Sequence, residues 1–311
     1  MELRYGILST SSIAPRFIAG VRESGKGQIV ALSSRSLEKA KEKAALWDIS
    51  TAYGSHEELL QDKSVNIVYI SNVNTAHYMW AKAALLAGKH VICEKPCTTT
   101  AEQTAELYDL AKKQGLFFME AQKMLFLPAV LQAKKQLENI GKVTMVTLSH
   151  SFPGSYNGWM FDKAAGGGPL LSSGIYAAQL LIWLFGDIKV IRGTASKDEN
   201  DVEWQYILTG ETESGVLFSA KNSTRSVLDN TCRIFGEKGY LELPNYWKAQ
   251  KLCIHTDGQT QVLEFPCQHE LMYEAVHIQE CIDQGLLSSP VITKELSCAG
   301  IRALETIKAN W

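Results

Sequence analysis

Four short stretches and one tyrosine in this 311-residue chain carry side chains suited to holding a charged ligand and moving a proton or a hydride. Glu94-Lys95-Pro96 ends a short apolar run, His90 to Cys93. There a carboxylate can accept from a sugar hydroxyl, an ammonium can reach a carbon that gives or takes hydride, and a proline stops the strand ladder. Ser9, Ser11, Ser12 and Ile13 lie in S-T-S-S-I-A, a stretch whose hydroxyls can donate to phosphate. Ser34 and Arg35 lie in S-S-R-S, where a guanidinium and small hydroxyls suit a phosphate dianion. Ser71, Asn74 and His77 follow a third apolar run, and Tyr176 follows a glycine-rich loop, A-G-G-G-P at 165–169. Each stretch also has a plainer reading: a solvated strand end, an ordinary turn, a core histidine or a core tyrosine.

What gives these residues weight is the elements that carry them. Over the first 120 residues, apolar runs at 4–9, 28–34, 66–71, 90–94 and 116–121 alternate with helical patterns near 13–24, 36–47, up to Gly88, and 100–114. A short extra strand is expected to end near Tyr53. Alternation of this kind predicts an α/β fold with a doubly wound parallel sheet of the Rossmann type. The second half predicts an α+β domain with a mostly antiparallel sheet. A helix at 128–140, a long strand at 142–152, and an apolar helix at 170–185 precede successive strands at 188–196, 202–212, 215–224, 230–243 and 247–265. Helices near 271–284 and 294–309 end it. The division is expected near residue 121, giving a dinucleotide-binding domain, 1–121, and a substrate-binding and oligomerisation domain, 122–311.

Composition narrows the function classes. Hydrophobic residues make up 46% and charged residues 21%, with a formal net charge of −2. No global basic field favours nucleic acid or an anionic membrane. The apolar stretch from Ala177 to Phe185 is too short to span a bilayer, and no signal peptide is visible. Seven cysteines without framework spacing favour reduced thiols in the cytoplasm. No cysteine or histidine set has zinc spacing, so no metal is expected.

In an open parallel sheet, ligands sit beyond the carboxyl ends of the strands. All four polar stretches fall there. The first loop departs from the dinucleotide fingerprint G-x-G-x-x-G/A: Ser9 and Ser11 replace the first two glycines, and Ala14 keeps the last position. If either serine needs a positive φ, it costs about 1 kcal/mol. The second strand end lacks the acid that binds a ribose 2′-hydroxyl and carries Arg35 instead, which predicts NADP(H) over NAD(H).

Together, G-K-H-V-I-C-E-K-P (88–96), N74-x-x-H77, Glu120-Ala121 with Phe126 and Pro128, G-G-G-P-L-L-S-S-G-I-Y (166–176) and Y-E-A from Tyr273 resemble the glucose–fructose oxidoreductase and inositol dehydrogenase family, Gfo/Idh/MocA. The resemblance covers nearly the whole chain. It implies that Lys95 lies at the nicotinamide and that the Lys95–Pro96 bond is cis. Members often carry Asp and, four residues on, His or Tyr, which places both on one helix face. Here those positions hold Ser172 and Tyr176. The tyrosine resembles the branch containing dimeric dihydrodiol dehydrogenase and NADP-linked aldose dehydrogenases. The serine matches neither pattern, and Lys123 and Leu125 also depart from the family.

The resemblance implies an oxidoreductase that moves hydride between NADP(H) and a small polyol, sugar or related carbonyl substrate. Tyr176 would exchange the substrate proton, and the Lys95 ammonium would favour its phenolate. Trp159, Phe161 and Trp247 could give a sugar a flat apolar surface. Homodimers or homotetramers through the C-terminal sheet are implied as well. An alternative from another class is an NADP(H)-binding sensor or regulatory protein with little turnover, suggested by the missing glycines and the missing Asp.

Overall fold

The computed structural model describes residues 1–154 and 158–311. Fourteen strands and nine helices are found among them. The first unit, residues 1–122 with 269–294, begins with β1 (Arg4–Leu8), α1 (Ala14–Ser24), β2 (Gln28–Ser33), α2 (Leu37–Leu46), β3 (Thr51–Tyr53) and α3 (His56–Gln61). It continues with β4 (Ile67–Ile70), α4 (His77–Leu86), β5 (His90–Glu94), α5 (Ala101–Gln114) and β6 (Phe118–Ala121). All pairings are parallel, and the strand order is β3-β2-β1-β4-β5-β6. This is the doubly wound order, with its reversal between β1 and β4.

Local chemistry explains the element ends. Ser36, Ser55 and Thr100 cap α2, α3 and α5 by accepting from the backbone N–H three residues on. Gly25 and Gly115 close α1 and α5 in the left-handed conformation. Strands β1, β4 and β5 are almost wholly buried, as a sheet covered on both faces requires. The helix α3 and its cap were not expected from the sequence, being only six residues long.

The second unit, residues 123–268 with 295–311, contains α6 (Pro128–Lys135), β7 (Val143–Ser151), α7 (Ile175–Phe185), β8 (Ile188–Lys197), β9 (Glu203–Thr212) and β10 (Leu217–Ser223). Strands β11 (Thr231–Gly236), β12 (Gly239–Pro244), β13 (Lys251–Thr256) and β14 (Gln259–Glu264) complete an eight-stranded sheet, ordered β14-β13-β12-β11-β7-β10-β9-β8. Only β7 and β10 run parallel. The sequence run 230–243 resolves into two strands, β11 and β12, because Glu237-Lys238 make a tight hairpin. Helix 128–140 resolves into α6 and a separate 3-10 turn, Leu137–Ile140.

Two helices end the chain, α8 (Met272–Asp283) and α9 (Lys294–Lys308). The sequence division at residue 121 assigns α8 to the second half. In the structure α8 belongs to the first unit, where a Cβ on Gly20 of α1 would collide with the backbone of Leu271. The return of the chain was not visible because α8 has no motif of its own pointing to a partner. The helical run Lys163–Phe185 is long and apolar enough to cross a bilayer, but 78% of its most apolar 18-residue window is buried within the protein. It is longer than the Ala177–Phe185 stretch because turns before α7 extend it.

Candidate functional site

In the first unit, the carboxyl ends of the strands bring the four polar stretches to one edge. The β1–α1 loop is tied to its neighbours twice: Ser9 N–H donates to Ser33 O at 3.1 Å, and Ser11 Oγ donates to Ser71 Oγ at 2.7 Å. The second bond crosses from β1 to β4, at the switch point where such sheets bind ligands. Ser9 adopts φ 103°, so the strain anticipated for a serine in a glycine position is present. Ser12 is exposed and Ile13 half-buried at the start of α1, which has no side-chain cap and carries Pro15 in its first turn. Ala14 and Arg16 N–H donate back to Ser11 O and Ile13 O, and the helix dipole at this end favours an anion.

At the end of β2, Ser34 is buried and donates its N–H to Tyr53 O at 3.2 Å, while the Arg35 guanidinium is exposed. Asn74 is buried in the turn that precedes α4. His77 is buried with both ring nitrogens against main-chain carbonyls, Nδ1 at 2.8 Å from Pro96 O and Nε2 at 2.9 Å from Asn72 O. The ring therefore has no nitrogen left for a nucleotide; it holds two loops together. Burial pushes its pKa down, and the two carbonyls and Glu94 oppose that shift.

The same edge explains why β5 stops in Glu-Lys-Pro. Glu94 accepts from Tyr69 Oη at 2.6 Å through one oxygen and from Lys95 N–H at 3.1 Å through the other. Tyr69 is itself fixed by stacking on Phe17, with centroids 3.7 Å apart and rings 2° from parallel. The Lys95–Pro96 bond is cis, as the resemblance implies. Beyond it, Cys97 N–H donates to the fully buried Glu120 carboxylate at 3.1 Å. Lys95 is half-buried at the apex of this locked turn.

Two residues at this edge were not legible in the sequence. His56 joins Ser33 Oγ through Nδ1 at 2.7 Å and Asn72 Nδ2 through Nε2 at 3.1 Å. Asn72 Oδ1 is buried without a hydrogen-bond partner among the described residues. A dinucleotide fits what is present: an uncapped helix N-terminus for phosphate, an exposed guanidinium, and a buried acceptor for a ligand donor.

The second unit holds Tyr176. It is buried near the start of α7, behind a π-helical turn, Leu170–Gly174. Such turns recur at functional sites. The turn overturns the simple helix-face argument, since Ser172 and Tyr176 are not joined by regular α-helix. Ser172 Oγ instead donates to Gly168 O at 2.8 Å. Ser173 Oγ donates to Pro169 O at 3.0 Å and accepts from Asn222 Nδ2 at 2.7 Å. The turn is backed by Glu203, which accepts from Leu170 N–H at 3.0 Å and whose pKa burial pushes up.

Facing Tyr176 is an aromatic group on the sheet. His150 lies edge-on to it at 6.4 Å, and Trp247 and Phe152 lie 3.7 Å and 4.3 Å from the His150 ring. Trp247 was anticipated as an apolar surface. His150 and Phe152 were missed, because Leu148 to Ser151 of β7 are all buried and no alternation marks a single face there. Among the described residues, no group of three or more His, Cys, Asp or Glu side chains could hold a metal ion.

Comparison with known proteins adds an independent line. A family model described as an oxidoreductase family with an NAD-binding Rossmann fold matches residues 3–122, and a GFO/IDH/MocA C-terminal domain model matches residues 130–242. Trans-1,2-dihydrobenzene-1,2-diol dehydrogenase of Bos taurus is 33% identical over 94% of this chain and 92% of its own. A 3-ketoreductase from Actinomadura kijaniata, solved with NADP and TDP-benzene, superposes with a TM-score of 0.91 at 21% identity, covering 99% of this chain and 98% of its own. A levoglucosan dehydrogenase solved with NADH and levoglucosan gives 0.89 at 20% identity, covering 100% and 98%.

Proposed function

The chain belongs to the Gfo/Idh/MocA oxidoreductase family and is a nicotinamide-dependent dehydrogenase or reductase of CH–OH groups, and on that premise we propose that it moves hydride between NADP(H) and a small polyol, sugar or related carbonyl compound. The observation that carries the reading is the locked Glu94-Lys95-Pro96 turn at the switch-point edge. When bound, the nicotinamide supplies or accepts the hydride.

The chain's own residues do the rest. The N-terminus of α1, with Ser9, Ser11, Ser12 and Ile13, faces pyrophosphate. Ser34 and Arg35 receive the 2′-phosphate. Ser71, Asn74, Glu94 and Pro96 shape the remainder of the cleft, and His77 holds its walls. Lys95 contacts the nicotinamide end as an ammonium. Tyr176 takes the proton of a substrate hydroxyl in oxidation and returns it in reduction. The ring surface of Trp247 and Phe152 supports an apolar face of the substrate, in keeping with relatives named for a cyclic diol and an anhydrosugar.

Seven cysteines outside any disulfide support a cytoplasmic location. Met145, Leu217, Glu211 and Val190 form one register row on the second sheet, its three apolar members exposed, which supports a homodimer or homotetramer through that face.

Titration of nucleotide fluorescence tests the cofactor assignment. NADPH should bind about tenfold or more tightly than NADH, and Arg35→Ala should erase most of that difference. Equal affinities in the native protein would overturn the NADP(H) assignment. A turnover screen of polyols and their carbonyl counterparts tests the substrate class.

A further inference from the structure

Four polar contacts run in series along the strand-end edge of the first unit; a neutral His77 ring carries one N–H, so only one of its two carbonyl contacts is a donated hydrogen bond. Ser33 Oγ meets His56 Nδ1 at 2.7 Å, and His56 Nε2 meets Asn72 Nδ2 at 3.1 Å. The main-chain O of Asn72 meets His77 Nε2 at 2.9 Å, and His77 Nδ1 meets Pro96 O at 2.8 Å. The series starts one residue before Ser34 and two before Arg35, and it ends one residue after Lys95. It therefore joins the proposed 2′-phosphate end of the cleft to the proposed hydride end.

Around His56 the donors fall into a consistent order. Asn72 Nδ2–H can only donate, so His56 Nε2 accepts, and the proton on the His56 ring sits on Nδ1 and is donated to Ser33 Oγ. Burial depresses the His56 pKa, which keeps the ring neutral and this order intact. Ser33 is fully buried, and the His56 ring is wedged edge-on against Trp80 at 4.7 Å. Ser33, His56 and His77 are buried and Asn72 is half-buried, and an unpaired buried polar group costs about 1–3 kcal/mol. A displacement of Ser33 is thus carried along the series rather than absorbed locally.

We propose that His56 and Asn72 are positioning residues that couple occupancy of the 2′-phosphate end to the placement of Lys95. The inference rests on the cofactor reading of this edge and adds to it a role for two residues outside every motif. It gives the enzyme a way to favour NADP(H) in turnover as well as in binding.

The test uses the full chain and the fragment 2′,5′-ADP, which fills only the phosphate end. Ring 15N spectra report on His77, at the far end of the series. Saturating 2′,5′-ADP should shift the His77 ring signals in the native protein, and His56→Leu should abolish most of that shift. With saturating NADPH, His56→Leu should lower kcat about tenfold while the KM for the carbonyl substrate changes by less than about twofold. Ser33→Ala removes one hydroxyl and serves as the milder variant; it should move both readouts in the same direction. If the native protein binds 2′,5′-ADP but its His77 signals stay still, the coupling is overturned while the cofactor reading stands. Equal shifts in the native protein and both variants would overturn it too. A native protein that binds neither 2′,5′-ADP nor NADPH would overturn the cofactor reading itself.

Discussion

Two loops lead into helices that matter, and they reach nearly the same backbone angle by different means. In the first unit Ser9 sits at φ 103°, and in the second Gly168 sits at φ 101°. At Ser9 an L-residue is accommodated and the conformational strain is simply carried. At Gly168 any side chain would force aside the Glu203 carboxylate that supports the start of the π-helical turn. A missing glycine in a fingerprint is therefore not equivalent to a missing function. What decides is whether the space beside the backbone is filled.

The largest effect that sharpens this contrast is expected at Gly168. Gly168→Ala should destabilise the protein by about 3 kcal/mol, combining an unfavourable φ with a steric clash, and should lower turnover through Tyr176. Thermal unfolding and a rate measurement read both. A benign Gly168→Ala would break the contrast.

Glu203→Gln is expected to act next, through pH. Burial raises the Glu203 pKa in the folded protein, so folding favours its protonated form. The native protein should then lose stability as pH rises above the ordinary carboxylate range and through the raised folded value. Glu203→Gln has no proton to lose and should lack that slope. Unfolding midpoints across pH, compared between the two, give the answer. Parallel curves would contradict it.

The smallest effect belongs to Ser9→Gly. Relief of the strained φ and the greater freedom of the unfolded chain oppose each other, so stability should change by less than about 1 kcal/mol. Closer approach of phosphate should tighten NADPH binding by about fivefold, or about 1 kcal/mol. Nucleotide titration distinguishes this from no change.

Much of this was legible in the sequence because period and strand ends are local properties. The runs at Arg4–Leu8, Ile67–Ile70 and His90–Glu94 are continuous and apolar, so the parallel sheet and its polar edge followed. The cis bond at Lys95–Pro96 came from resemblance to a known motif. His56 was not legible: it starts a six-residue helix, and its partners are 23 and 16 residues away. The return of α8 to the first unit was hidden for the same reason, since packing of Leu271 on Gly20 is a long-range contact. The π-helical turn before Tyr176 could not be read from spacing, because Leu170–Gly174 is compatible with an ordinary helix.

The central claim is that Lys95 serves hydride transfer rather than mere architecture. The most direct measurement compares NADPH-dependent reduction of a carbonyl substrate by the native protein and by Lys95→Met, each saturated with NADPH. The account predicts a loss of at least about 100-fold in kcat with NADPH binding retained. Equal rates in the two proteins would contradict it.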